Sequence, residues 1–375
     1  MGSGDQDRTR SRGRACGPTQ FERYAGHAMR VGFDASPLVR GFPPGVTRAA
    51  RGLLDALERR GVLEVVRLLP PEGASSREWR RRGLPAAVAR ERLDGLHSFT
   101  SAFAHRARCK RVQTIHELPW RHGVSENADL AHRIWAALGP CRADRVVVPT
   151  AFVADDLRRR LLPGKERIRV TPWGVGPPFA LDPEPGAIDE VVLERHRLGE
   201  EPFLLALGAV RPKKGLDRVL HGMAALAARG EPVPPLVVTG PETPQLRRDL
   251  GLASQLGLAR YVSTLDDVDE ADLPALVRLS LAVPVLSRSE GFGLPVLEAL
   301  ACGVPVLVPR DTAQAEVAGT AGTTVDADAP EEVADAILRA RAERLSGTAE
   351  RIERARAFSW DASATAVEAV WAELA

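Results

Sequence analysis

A chain of 375 residues that is 44% apolar, 27% charged and 5% aromatic has ordinary globular composition and room for two domains. Its 51 Lys and Arg against 49 Asp and Glu leave a net charge of +2, which excludes a strongly basic nucleic-acid binder and a highly charged unstructured chain. Cys16, Cys109, Cys141 and Cys302 stand far apart with no C-x-x-C pair, which argues against a disulfide scaffold or a zinc ribbon.

Residues 1–28 are rich in Gly, Arg and Ser without periodicity and read as a disordered extension; Met29 is an alternative translation start to Met1. From Met29, short apolar strands alternate with amphipathic stretches of helical length. The spacing predicts strands at Arg30–Ala35, Leu63–Leu69, Gly95–Phe99, Arg111–Ile115, Arg145–Val148 and Ile168–Val170. Helices are predicted at Val46–Arg59, Asn127–Leu138 and Thr150–Leu161. This alternation implies a parallel sheet covered on both faces. A Pro- and Gly-bearing stretch from Pro177 to Gly186 reads as an interdomain linker. The alternation restarts with strands at Phe203–Leu207, Pro235–Thr239, Tyr261–Thr264, Leu281–Leu286, Val304–Val308 and Thr323–Val325, and the chain ends in one amphipathic helix after Phe358-Ser359-Trp360. The fold class is therefore α/β, two Rossmann-like domains facing each other across a cleft, with ligands expected at strand carboxyl ends.

The segment Leu281–Val308 carries the chemistry. A strand runs into Ser287-Arg288-Ser289-Glu290, then Gly291-Phe292-Gly293, and Leu294-Pro295 opens a helix. A glycine-rich turn feeding a helix start aims unpaired N–H groups at one point, an arrangement suited to phosphate. Glu290 and Glu298 flank that turn. Carboxylates repel phosphate but accept well from vicinal hydroxyls of a ribose or a sugar. Glu298 is read as lying in the first helical turn, where a simple dipole-satisfying role is the competing explanation. The lysines are only Lys110, Lys165, Lys213 and Lys214, and two of these share one loop.

Taken together, GFGLPVLEALACGVPVL resembles the nucleotide-sugar site of retaining glycosyltransferases of family 4 (group 1), which have the GT-B fold. MRVGFDASPLVRGFPPGVTRAARGLLDAL, VQTIHELPW, ADRVVVPTAFVADDL, IRVTPWGVGPPF, LALGAVRPKKGLDRVL and FSWDASATAVEAVW resemble further segments of that family, from about Met29 to Ala375. The resemblance implies an N-terminal acceptor domain over 29–178, a linker over 179–200, a donor domain over 201–357 and a helix over 358–375 crossing back to the first domain. It implies Glu298 on the nucleotide ribose and Glu290 on donor-sugar hydroxyls. Backbone amides of Phe292, Gly293 and Leu294, beside Gly291, would hold the sugar or diphosphate. Lys214 would neutralise the diphosphate, helped by Arg211 or Lys213. His116, ending a strand, would donate to a sugar hydroxyl or the phosphate; His97 ends another strand and is a weaker candidate. Gly45, Thr47 and Arg48 belong to a loop expected at the acceptor or diphosphate. Thr47 stands where the family has a second glycine, Trp173 where it has Asn, and Ala209 where it has Arg.

The implied activity moves a sugar from a UDP- or GDP-sugar to a hydroxyl acceptor that is a saccharide, a lipid-linked sugar or a small molecule, with no metal or other cofactor. No nucleic-acid partner is implied. The alternative is a non-catalytic nucleotide-sugar-binding protein or regulatory subunit of the same fold. A dinucleotide dehydrogenase would need G-x-G-x-x-G after the first strand, where the chain reads GFDASPLVRG. Asp326-Ala327-Asp328 matches a metal-binding D-x-D, but it precedes a helix start and reads as a cap. No apolar run approaches the about 20 residues that span a bilayer, and no signal-peptide core is present, so a cytoplasmic protein is expected. Trp79 with Arg80, Arg81, Arg82 and Leu84–Leu93 is a candidate for weak contact with the inner face of a membrane.

Overall fold

The computed structural model describes residues 28–375 apart from 40, 101–102, 105, 126–129, 160–163, 181–188 and 267. The expected N-terminal extension, and Pro183–Gly186 of the expected linker, lie outside the described residues.

The first half contains β1 (Arg30–Asp34), α1 (Pro44–Arg60), β2 (Glu64–Leu68), α2 (Ser76–Glu78), α3 (Leu84–Arg90), β3 (Gly95–Ser98), β4 (Lys110–Thr114), α4 (Leu130–Arg142), β5 (Arg145–Val148), α5 (Ala151–Arg158) and β6 (Ile168–Val170). Its six strands form one parallel sheet in the order β2-β1-β3-β4-β5-β6. The second half contains α6 (Asp189–Arg195), β7 (Leu204–Ala206), α7 (Leu216–Ala228), β8 (Leu236–Thr239), α8 (Pro244–Gln255), β9 (Val262–Leu265), α9 (Leu273–Leu279), β10 (Val283–Pro284), α10 (Leu294–Ala301), β11 (Val306–Pro309), α11 (Ala313–Ala318), β12 (Thr323–Val325), α12 (Pro330–Ala342), α13 (Thr348–Arg356) and α14 (Trp360–Ala372). Two parallel three-stranded ladders, β7-β8-β9 and β10-β11-β12, meet where Leu205 N donates to Ala282 O and Leu281 N to Phe203 O. The strand order across that seam is β9-β8-β7-β10-β11-β12. It reverses direction between β7 and β10, the place where an open α/β sheet leaves a crevice at its carboxyl edge.

The strands form where the chain is almost continuously apolar, because both faces of the sheets are covered by helices. All four residues of β8 and of β11 are buried. Helix α1 buries Ala49, Ala50, Leu53, Leu54, Ala56 and Leu57, and stops at Gly61 in the left-handed region with Arg59 and Arg60 in its last turn. Residues 189–195, expected as linker, form a helix instead. Val192 and Leu193 are apolar and buried against the second core, and Asp189 pairs with Arg278 of α9 at 2.6 Å.

Helix α14 leaves the second half and docks on the first. The Ser359 side chain caps it by accepting from Ala362 N. The chain enters through Val175 N donating to Phe358 O. A Cβ on Gly52 of α1 would lie 2.3 Å from the Trp360 ring, and one on Gly95 of β3 2.3 Å from the Trp371 ring. The missing side chains are the sockets for these two indoles. Arg60 grips Glu368 through two hydrogen bonds of 2.8 and 2.9 Å, and Arg145 and Arg169 both reach Glu373.

The expected surface stripe at Trp79 and Leu84–Leu93 faces inward. Trp79, Leu84, Val88 and Leu93 are buried in a core cluster, and the Trp79 indole donates to Asp34 Oδ1 at 3.0 Å. That face is consumed by packing and is not free to meet a membrane. Among the described residues no helix is long and apolar enough to cross one. Cys109, Cys141 and Cys302 are unpaired.

Trp371 is fully buried, so Trp371→Ala should cost about 3–5 kcal/mol of stability, read as a lower urea midpoint. A loss below about 1 kcal/mol would mean that α14 is not part of the cooperative core.

Candidate functional site

At the seam between β7 and β10, two loops are pressed together. Arg288 N donates to Lys213 O at 2.7 Å, and Arg288 forms a two-pronged ion pair with Asp217 at 2.6 and 2.9 Å. Between them opens a recess lined among others by Gly208, Lys214, Ser287 and Pro295. Its floor is the start of α10. Gly293 precedes that helix with φ +98°, a conformation only glycine adopts without strain. Among the described residues, no hydrogen bond takes the N–H of Phe292, Gly293 or Leu294. Unpartnered amides at a helix start are what an oxyanion or a sugar hydroxyl would use.

The charged groups beside this recess neutralise one another. Lys214 Nζ lies 2.7 Å from Glu290 Oε1, which also accepts from the Ser287 hydroxyl. Lys213 Nζ lies 2.7 Å from Glu117 Oε1 and 3.8 Å from Glu290 Oε2. Burial by itself would raise the Glu290 carboxyl, but the two ammonium groups outweigh it and hold the group at about 2. Burial likewise works against the Lys213 charge, yet Glu290 and Glu117 together move its pKa upward. Burial pushes the Glu117 carboxyl up, with Lys213 opposing and Glu290 adding, so Glu117 is the weaker of the two acids.

Glu298 falls in the second turn of α10, not the first, so the helix start is too far for a dipole role to account for it. It is buried and 3.3 Å from Arg48 Nη2, and burial raises its carboxyl against the opposing charge of Arg48. The expected loop at Gly45, Thr47 and Arg48 is already helix, because Pro44 opens α1 with its fixed φ. The Thr47 hydroxyl donates to Pro37 O at 2.8 Å, and Gly45 sits across from Leu294. Arg48 thus answers a carboxylate of the other half, where a phosphate contact was expected.

The two expected histidines part company. The His116 ring lies between Phe99 and Trp173, with centroids at 5.3 and 5.2 Å, and Nε2–H donates to Phe99 O at 2.6 Å. Burial lowers its pKa to about 4. The neutral ring has its one N–H committed, so His116 has no proton for a hydroxyl or phosphate; Nδ1 is buried, unpartnered and able only to accept. His97 is fully buried, with Nε2 2.9 Å from Thr114 Oγ1 and its ring against Phe33 and Trp371. It belongs to the core under α14, so the strand-end candidate His97 presents no exposed atom to a sugar or a phosphate. Lys213 is buried at 4% exposure behind the recess that Lys214 lines. Arg211 stands at the start of the same turn.

Several residues that sequence reasoning passed over close the site. The Thr150 hydroxyl donates to Gly291 O at 2.9 Å. A Cβ on Gly291 would lie 1.7 Å from His116 O, so the halves meet there on bare backbone. Glu316 of α11 accepts from Ala151 N and Phe152 N at 2.8 Å each, capping α5 from the other half. Gln314, on the same α11, donates from Nε2 to Ser287 O. Only Glu117 stood beside a chosen residue in the sequence. Asp326 caps the turn before α12 by accepting from Asp328 N, and Asp328 pairs with Arg218. Among the described residues there is no metal-ligating cluster.

A family model described as Glycosyl transferases group 1 matches residues 192–357, and one described as Glycosyltransferase Family 4 matches residues 32–177. The D-inositol 3-phosphate glycosyltransferase of Actinosynnema mirum is 32% identical over 249 residues, covering 62% of this chain and 58% of that protein. The GDP-mannose-dependent alpha-(1-6)-phosphatidylinositol monomannoside mannosyltransferase of Mycolicibacterium smegmatis is 34% identical over 158 residues, 40% of each chain. The matches span about half the length of these relatives. In fold, the chain resembles a sucrose-phosphate synthase from Thermosynechococcus elongatus (TM-score 0.76, 19% identity, 92% of this chain and 99% of that one). It also resembles Anabaena HepE in complex with UDP and glucose (TM-score 0.70, 16% identity, 92% and 100%). These likenesses place the two sheets in the GT-B arrangement.

His97 and His116 titrate at about 3 and about 4, well below the ordinary 6.5, because burial disfavours the cation. The unfolded chain therefore takes up protons that the native rings refuse, and stability declines as pH falls from 6.5 toward those values. Thermal unfolding followed from pH 7 to pH 5 should show this, and His97→Phe should flatten the dependence. An unchanged slope in that variant would contradict the assignment.

Proposed function

The chain belongs to the family 4, group 1 glycosyltransferases, and on that premise we propose that it moves a sugar from a UDP- or GDP-sugar to a hydroxyl acceptor with retention at the anomeric carbon. The observation that carries this reading is the recess at the β7–β10 seam. There Lys214, Ser287 and Pro295 line the recess, Glu290 is bonded to Lys214 and Ser287, and the unpartnered amides of residues 292–294 and buried Glu298 belong to the start and second turn of the helix that Pro295 opens. The ammonium and the amides suit a pyrophosphate, and Glu298 suits the ribose next to it. Glu290 suits the sugar on the far side. The relatives carry acceptor names such as D-inositol 3-phosphate and phosphatidylinositol monomannoside, which support a hydroxylated, phosphate- or lipid-bearing acceptor class.

In the proposed mechanism the acceptor approaches on the face the diphosphate leaves. The anomeric carbon–phosphate oxygen bond breaks, the anomeric carbon–acceptor oxygen bond forms, and the acceptor proton passes to the departing phosphate oxygen. Lys214 and the amides of residues 292–294 take up the charge that develops on the leaving group, which is why no metal ion is invoked. His116 orients a hydroxyl through Nδ1 as an acceptor and moves no proton.

Glu298→Ala should raise the donor KM by about ten- to hundredfold while changing kcat less, because a lost ribose contact weakens ground and transition states alike. Unchanged donor KM would remove the ribose role. Lys214→Ala should lower kcat by about 10²–10³-fold, with EDTA leaving the unaltered protein at full rate. Strong EDTA inhibition would overturn metal independence. A thermal-shift comparison of UDP, GDP and ADP identifies the base.

A further inference from the structure

Two adjacent lysines occupy this loop, yet they sit in different surroundings. Lys214 lines the recess; Lys213 is 4% exposed and is not part of its wall. Lys214 is occupied, because Glu290 Oε1 holds it at 2.7 Å. A pyrophosphate that takes Lys214 from Glu290 would leave a buried carboxylate with the Ser287 hydroxyl but no cation in hydrogen-bond range. Such a group costs far more than the pair it came from. The other oxygen of the same carboxylate, Oε2, already lies 3.8 Å from Lys213 Nζ, just outside hydrogen-bond range. Lys213 is in turn anchored from the facing half by Glu117 at 2.7 Å.

We propose that Lys213 is a positioning residue that receives Glu290 when a diphosphate takes Lys214, with Glu117 of the facing half among the groups that hold it in place. The inference rests on the nucleotide-sugar reading above and moves Lys213 from the diphosphate to its counter-carboxylate. It explains why the loop carries two lysines where one faces the recess. The exchange also releases Glu290 Oε1 from Lys214 at the moment a sugar hydroxyl arrives to use it.

Titration calorimetry with UDP, GDP and ADP, each against the full chain, tests this. The diphosphate that binds the unaltered protein should bind Lys213→Gln at least about tenfold more weakly. Its parent nucleoside, which engages Glu298 alone, should be unaffected. Lys213→Arg, which keeps the charge, should recover most of the loss. The deciding variant is Lys213→Gln/Glu290→Gln. With no carboxylate left to rehouse, it should regain most of the diphosphate affinity that Lys213→Gln alone loses. If Lys213 touched phosphate or served only the core, Lys213→Gln would cost as much diphosphate affinity on a Glu290→Gln background as on the unaltered one, and the proposal would fall. Should Lys213→Gln unfold, the same comparison on a Glu117→Gln background leaves no carboxylate stranded beside the missing lysine. Failure of the unaltered protein to bind any of the three diphosphates would overturn the nucleotide-sugar reading on which the inference rests, a result distinct from losses that merely add.

Discussion

Charges buried between two sheets must cancel one another, and that constraint organises the centre of this molecule. Two ammonium groups and two carboxylates, drawn from both halves, stand in alternation within 2.7–3.8 Å of one another. Each would be expensive if stranded in a poorly hydrated cleft; together they are neutral and mutually bonded. The same logic pairs Arg48 with Glu298 across the gap. Cross-cleft ion pairs and the backbone contact at Gly291 are therefore one device: the halves come together where their charges cancel and where no side chain intervenes.

The architecture was legible in the chain because parallel strands covered on both faces read as apolar runs, and the sequence places twelve such runs within a few residues of the observed strands. The recess was legible too, because glycine and proline at Gly293 and Pro295 announce a strand-turn-helix locally. What escaped was pairing over distance. Glu117 and Lys213 are 96 residues apart and nothing in either neighbourhood indicates the other. His97 looked like a rim residue because it closes a strand, but its enclosure is supplied by Trp371 from the end of the chain. At Gly45–Arg48 the periodicity and the resemblance disagreed: the helix predicted from Val46 is observed, begun by Pro44, and the loop that the resemblance implied for Thr47 and Arg48 is not.

Helix α11 shows how a short element ties the two halves together. Gln314 donates to Ser287 O in the loop before the GFG turn, and Glu316 accepts from the first amides of α5. Six residues of helix thus contact both α5 and the loop that carries Glu290. The GFG turn is thus positioned from both sides of the cleft.

The docking of α14 has a consequence for how the protein is made. The sockets at Gly52 and Gly95 are synthesised long before the Trp360 and Trp371 indoles that fill them. Until then the nascent first sheet has an apolar flank without the cover it takes in the native fold. Emergence of α14, rather than completion of the first sheet, is the event that lets that flank close.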